Sequence, residues 1–150
     1  MKLVIQVASD AKVTVSNKII GQISYGFVGF IGIENADTKE IADKMIKKML
    51  GLRIFKDENG KTNLSIQQVN GELLLISQFT LYADCRKGNR PSFTAAGTAE
   101  HANALYEYII EKCRETDIPV QTGEFGANMK VTFTNEGPFT IILDSKEILS

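Results

Sequence analysis

The sequence predicts an α+β fold: one mostly antiparallel sheet, curled into a barrel-like core, with two main helices. Three observations predict it. Strand-like runs dominate both ends of the 150-residue chain. Only two segments carry a helical period. The last strand-like runs follow one another with no helix between them, which disfavours a parallel, doubly wound sheet. A chain of this length fits one domain and buries about 70% of its unfolded surface without staples.

The first strands are Leu3–Ala8 and Lys12–Ser16, rich in β-branched residues, with Ser9-Asp10 as a turn signal between them. A second turn at Asn17-Lys18 leads to Ile19–Ile23. From Gly26 to Ile33, glycines space the apolar residues, which suits a buried strand with close backbone neighbours. Asp37 with Glu40 three residues on gives a capping-box pattern. Ile41, Ala42, Met45, Ile46, Met49 and Leu50 then recur on one helical face, and Gly51 offers a stop. Asp57–Gly60 is a turn.

Gly71–Ala83 begins as a continuous apolar strand and turns polar at Ser77. A loop, Asp84–Gly97, precedes a second helix over Thr98–Arg114. Its buried face carries Ala102, Leu105, Tyr106, Ile109, Ile110 and Cys113. The runs Ile118–Thr122, Met129–Thr134 and Phe139–Asp144 close the chain as strands.

Bulk properties narrow the range of functions. The composition, 43% hydrophobic and 23% charged, is that of an ordinary globular chain, and the net charge of -1 gives no global signal for nucleic acid. The two cysteines, Cys85 and Cys113, match no metal or redox spacing and read as free thiols. One histidine, His101, cannot build a multi-histidine metal site, and no Ser-His-Asp or Cys-His set can be argued around it. The spacing within Gly26–Gly32 is wrong for a nucleotide-binding loop. No apolar run approaches the ~18 residues of a membrane helix, and Leu3–Ala8 is too short for a signal segment. The expectation is a cytoplasmic protein without membrane contact.

Three stretches carry candidate chemistry. In the first, Ser77–Asp84, alternation puts Ser77, Phe79 and Leu81 on one strand face and Gln78, Thr80 and Tyr82 on the other. These residues either line a pocket at the end of a buried strand or are ordinary exposed strand positions. In the second, Arg86, Lys87 and Arg90 sit in a loop with Phe93 nearby and no acidic residue downstream until Glu100. The loop is either a solvated surface or a cradle for phosphates or a single-stranded end. The third is Asn135–Thr140, with Gly137-Pro138 between two strand-like runs. It is either a tight turn joining those strands or a specified cis peptide that projects rigid backbone. Phe125–Met129 reads as a simple turn.

Taken together, Ser77–Asp84, Arg86–Phe93, Thr122–Met129 and Asn135–Thr140 closely resemble the D-aminoacyl-tRNA deacylase family. The likeness covers essentially residues 1–150 as one such domain. The resemblance implies hydrolysis of the ester joining a D-amino acid to the terminal adenosine of tRNA, and removal of glycine from some tRNAs. It implies a homodimer with no required metal and no cofactor. It assigns Ser77, Gln78, Phe79 and Thr80 to the site, and Gly137 and Pro138 to a cis loop that enters the partner subunit's site and screens chirality. Backbone N–H groups around Phe79 and Thr80 become candidates for holding the developing oxyanion. Attack by water, assisted by the substrate's 2′-hydroxyl, is favoured because no His or Lys in the motif would activate Thr80. Arg86, Lys87 and Arg90 are the expected contacts to the tRNA end. The chain departs from the pattern at Val7, where Arg is usual, and at Phe139, where Val is usual. The competing class is a non-catalytic dimeric binding protein for an amino-acid-like ligand or a nucleic-acid end.

Overall fold

The computed structural model describes residues 1–150. It opens with a long hairpin, β1 (Lys2–Val15) and β2 (Lys18–Gly32). The turn is Ser16-Asn17, one residue earlier than expected. Both residues have positive φ, 49° and 64°, as a two-residue hairpin turn requires. Ser9-Asp10 is no turn. β1 runs straight through it as an irregularity, with φ of 51° at Asp10 and a register shift against its neighbour. Gly26 lies against the backbone of Glu72, and a Cβ there would sit 1.8 Å from the Glu72 carbonyl oxygen.

Helix α1 (Lys39–Gly51) buries Ala42, Met45, Ile46 and Met49, and Gly51 is its last residue. Its cap is Thr38 rather than Asp37, since Thr38 Oγ1 accepts from the Ile41 N–H. Asp37 is buried and turned away. It accepts from the Met1 nitrogen at 2.7 Å and from Glu34 N–H at 2.8 Å. A small hairpin follows, β3 (Phe55–Lys56) and β4 (Thr62–Leu64), folded around Asp57, whose carboxylate accepts from the N–H groups of Asn59 and Lys61.

β5 (Glu72–Ser77) runs parallel to β2, with Ser77 opposite Ile31. A 3-10 turn (Phe79–Tyr82) and the long loop lead to α2 (Ala99–Arg114), capped by Thr98. Its buried face is the one the period predicts, Ala102 through Cys113. β6 (Val120–Thr122) lies parallel to β5, and the chain ends with β7 (Lys130–Asp144) and α3 (Ser145–Ile148).

The sheet order is β6-β5-β2-β1-β7. Its long pairings, β1 with β2 and with β7, are antiparallel. The short ones through β5 are parallel, because β2 and β5 are joined by a crossover that carries α1, and β5 and β6 by one that carries α2. The sheet is therefore mixed and open rather than closed. One core lies between the sheet and the two main helices. A second, built on Ala8, Val13, Val28, Leu74 and Ile76, is covered by Val131 and Phe133 as β7 curls over the opposite face.

The two last strand-like runs are one strand. β7 is an edge strand, so Pro138 interrupts no inner ladder. Thr140 pairs with Gln6 and Asn135 with Ala8, so Glu136–Phe139 bulge out opposite the single residue Val7. The Gly137-Pro138 peptide is cis.

Candidate active site

Leu73–Ile76 are buried on both faces because Leu73 and Leu75 enter the core against the helices and Leu74 and Ile76 the core on the opposite face. Beyond Ser77 only one more ladder bond forms, from Gln78 N–H to the Ile31 carbonyl at 2.8 Å. The backbone then tightens. Leu81 N–H donates to Gln78 and Ala83 N–H to Thr80, closing the 3-10 turn. Strand alternation therefore does not extend past Ser77, and the two faces expected for Ser77–Tyr82 do not exist. Gly32 makes the close approach possible: a Cβ there would lie 2.9 Å from Leu81 Cβ.

A turn of this kind leaves its first N–H groups without partners inside the turn. Here they belong to Phe79 and Thr80. Beside them opens a cavity of about 600 Å³, of the size that holds a nucleoside or drug-sized ligand. Ser77, Gln78 and Phe79 form one wall; Phe125 and Met129 form another. The Phe125–Met129 segment is thus a pocket wall and not merely a turn. Composition gave no hint of this, because its small residues read as punctuation.

Phe79 is 54% exposed and meets Phe93 edge to face at 5.1 Å, so two rings stand at the pocket mouth. Thr80 does not line the cavity. Its hydroxyl accepts from Gln78 Nε2 at 2.6 Å. Tyr82 is buried on the far side of the turn, and burial together with the nearby Asp37 and Glu34 carboxylates keeps its phenol protonated well above the usual range.

The basic loop is a tongue closed at its base by mutual backbone bonds between Asp84 and Ser92. Arg86, Lys87 and Arg90 are exposed on it. Arg86 is partly spoken for: its guanidinium donates from Nε at 2.9 Å and from Nη2 at 2.7 Å to the Asp84 carboxylate. That pairing holds the Asp84 carboxyl down at about 2. Counting acidic residues only downstream of the loop overlooked this upstream partner.

Gly137 and Pro138 lie elsewhere. Their loop stands opposite Val7, whose β2 partner is Phe27, whereas Ser77 stands opposite Ile31. The separation is four residues along β2 and three strands across, about 20 Å at ordinary strand spacings. Gly137 has φ of 130°, a conformation side chains rarely adopt. Val7 is buried beside the loop, and Val7, Tyr25, Phe55, Gly137 and Phe139 border a second cavity of about 170 Å³. Nowhere do three or more His, Cys, Asp or Glu side chains converge as metal ligands would, and no helix is long and apolar enough to cross a membrane.

Fold and site together define a class: a small α+β protein whose nucleoside-sized pocket is lined by aromatic rings and the start of a 3-10 turn, next to a basic loop. Residues 4–144 match the family described as D-Tyr-tRNA(Tyr) deacylase, and the chain belongs to that family. It is 49% identical to the D-aminoacyl-tRNA deacylase of Thermotoga petrophila over 99% of both chains. It is 50% identical to that of Clostridioides difficile over 98% of this chain and 99% of the relative. A solved structure of a c-Myc DNA Unwinding Element Binding Protein superposes with a TM-score of 0.90, at 39% identity over 96% of this chain and 98% of the other. A probable eukaryotic D-amino acid tRNA deacylase shares the fold at 17% identity, with a TM-score of 0.78 over 95% of this chain and 97% of the other.

Proposed function

We propose that the chain, as one deacylase domain over residues 1–150, hydrolyses the ester between a D-amino acid and the terminal adenosine of tRNA, in the cytoplasm alongside translation. Glycyl-tRNA is a second substrate in this reading, since glycine has no side chain to reject. The observation that carries the reading is a 3-10 turn whose first N–H groups, those of Phe79 and Thr80, have no partner, with Phe79 lining an aromatic pocket. Donors fixed in this way stabilise charge developing on the ester oxygen without reorganising. The rings of Phe79, Phe93 and Phe125 and the Met129 thioether suit a stacked base.

Thr80 is the wrong nucleophile on chemical grounds. It has no base beside it, and its oxygen already accepts from Gln78. Water is the attacking species, oriented by the substrate's ribose 2′-hydroxyl, which takes the water's proton as it passes its own to the departing ester oxygen of the ribose, releasing the free D-amino acid and tRNA. Arg86, Lys87 and Arg90 contact the phosphates near the tRNA end. The Gly137-Pro138 loop acts in trans. Because it stands about 20 Å from Ser77 in its own chain, it reaches a pocket only in a homodimer, where its rigid backbone leaves no room for an L side chain.

A complementation experiment tests the arrangement. A variant damaged at Phe79 is mixed and refolded with one lacking the Gly137-Pro138 loop. Recovery of D-selective hydrolysis in the mixture, absent from either variant alone, supports loop insertion in trans; no recovery counts against it. The 39% identical relative named for binding DNA keeps a second reading in view, a nucleic-acid binder without turnover. Binding of D-Tyr-tRNA with no release of D-tyrosine would favour it.

A further inference from the structure

The Gly137-Pro138 loop hangs from the sheet edge by its two ends, Asn135 and Thr140, and something must fix its direction. Packing does so only in part: Phe139 is half-buried against the core, but a cavity of about 170 Å³ remains between Gly137, Phe139, Val7 and Phe55. Side-chain hydrogen bonds close its neck instead. Thr140 Oγ1 accepts from Gln6 Nε2 at 3.0 Å and from Asn135 Nδ2 at 3.1 Å. Asn135 Oδ1 accepts from the Phe139 N–H at 3.1 Å. The Asn135 amide thus uses both ends, and turning it over would set its NH2 against the Phe139 N–H and lose that bond. Thr140 joins the two legs of the loop to each other and to β1. Outside this ring, Ser9 Oγ donates to Glu136 Oε1 at 2.7 Å.

We propose that Thr140, with Asn135 and Gln6, forms a positioning collar that aims the Gly137-Pro138 backbone and so sets the discrimination between D and L substrates. This rests on the proposed function above. The logic is geometric. A backbone filter rejects by steric exclusion, so its selectivity depends on where the loop stands to within a fraction of an ångström. Where packing on the apolar side of a loop is incomplete, hydrogen bonds supply the rest of what holds that position. None of the three side chains reaches the Ser77–Phe79 pocket in the same chain, so they act through the loop and not on the reacting atoms.

The test compares kcat/KM for D-Tyr-tRNA, L-Tyr-tRNA and glycyl-tRNA. Thr140→Val removes the acceptor at equal volume and takes two neutral hydrogen bonds with it. The D-to-L ratio is expected to fall about tenfold, chiefly through a faster L reaction, while hydrolysis of the achiral glycyl ester falls less than the ratio does. Thr140→Ser, which keeps the oxygen, restores the ratio. If Thr140→Val proves unfolded, Gln6→Met removes one of the two donors, and a drop of about threefold is expected. A wild-type ratio in the folded variants overturns the collar, as does a glycyl-tRNA rate that falls as far as the ratio. A wild-type protein that hydrolyses no D ester withdraws the proposed function, and the collar with it, before any variant is made.

Discussion

Gly32 is where β2 lets the 3-10 turn of the proposed site pack close, and changing it to alanine is the most informative single perturbation. The added Cβ would sit 2.9 Å from Leu81 Cβ, 3.3 Å from the Gln78 carbonyl oxygen and 3.3 Å from Tyr82 Cδ2. Carbon atoms pack at about 3.5–4.0 Å, so the 3-10 turn must retreat from β2 by roughly 0.5–1 Å. Two of the three neighbours are near-backbone or backbone atoms, which cannot swing aside as a flexible side-chain tip would. Overpacking of this kind costs about 1–3 kcal/mol, and the melting temperature should fall by about 2–4 °C for each of these. The functional effect should be larger. The same retreat carries the N–H groups of Phe79 and Thr80 away from the ester oxygen, and a misplacement of about 1 Å costs on the order of a hundredfold in rate. The assay pairs thermal unfolding with kcat/KM on D-Tyr-tRNA. A folded Gly32→Ala protein within about twofold of wild-type kcat/KM would refute the placement of the oxyanion donors on this turn.

Removing the charges of Arg86, Lys87 and Arg90 together should weaken tRNA binding and flatten its salt dependence. The log–log slope falls by about 1.4 if Asp84 keeps Arg86 occupied and by about 2.1 if tRNA displaces Asp84, as filter binding across a salt series would read; an unchanged slope removes the loop from the interface. Thr80→Val should keep a substantial share of kcat, whereas complete loss with intact folding and tRNA binding would make Thr80 the nucleophile. The Asp84 carboxyl should titrate at about 2, held there by Arg86. Since its folded value lies below the ordinary one, the pair's contribution is present above ordinary carboxylate pH and is lost as pH falls through about 2. Arg86→Gln should raise that midpoint toward 4 in a carboxyl NMR titration.

Helices were the most legible part of the sequence, because a stripe such as Ala102, Leu105, Tyr106, Ile109 and Ile110 has one physical solution, burial of that face. Long-range pairing was less legible. Nothing local in Leu73–Ile76 distinguishes a parallel neighbour from an antiparallel one. Nothing local in Asn135–Thr140 says that β1 will hold both legs of a bulge in one strand. Ser77–Phe79 could be placed at the end of a buried strand, but the 3-10 turn depends on the space left by Gly32, about fifty residues earlier. Asp37 reads as a cap until the Met1 nitrogen is brought to it by the fold. The resemblance groups Ser77–Thr80 with Gly137-Pro138 as one expected site, while nothing local in either stretch gives the distance between the loop and the pocket.

That distance makes stereochemical selectivity the central claim, and one measurement addresses it most directly: hydrolysis of D-Tyr-tRNA and L-Tyr-tRNA by the purified protein, side by side. Rapid release of D-tyrosine with the L ester spared is the expected result, with Val7 and Phe139 beside the loop as they are. Equal loss of both esters would contradict the filter, and loss of neither would contradict the hydrolase.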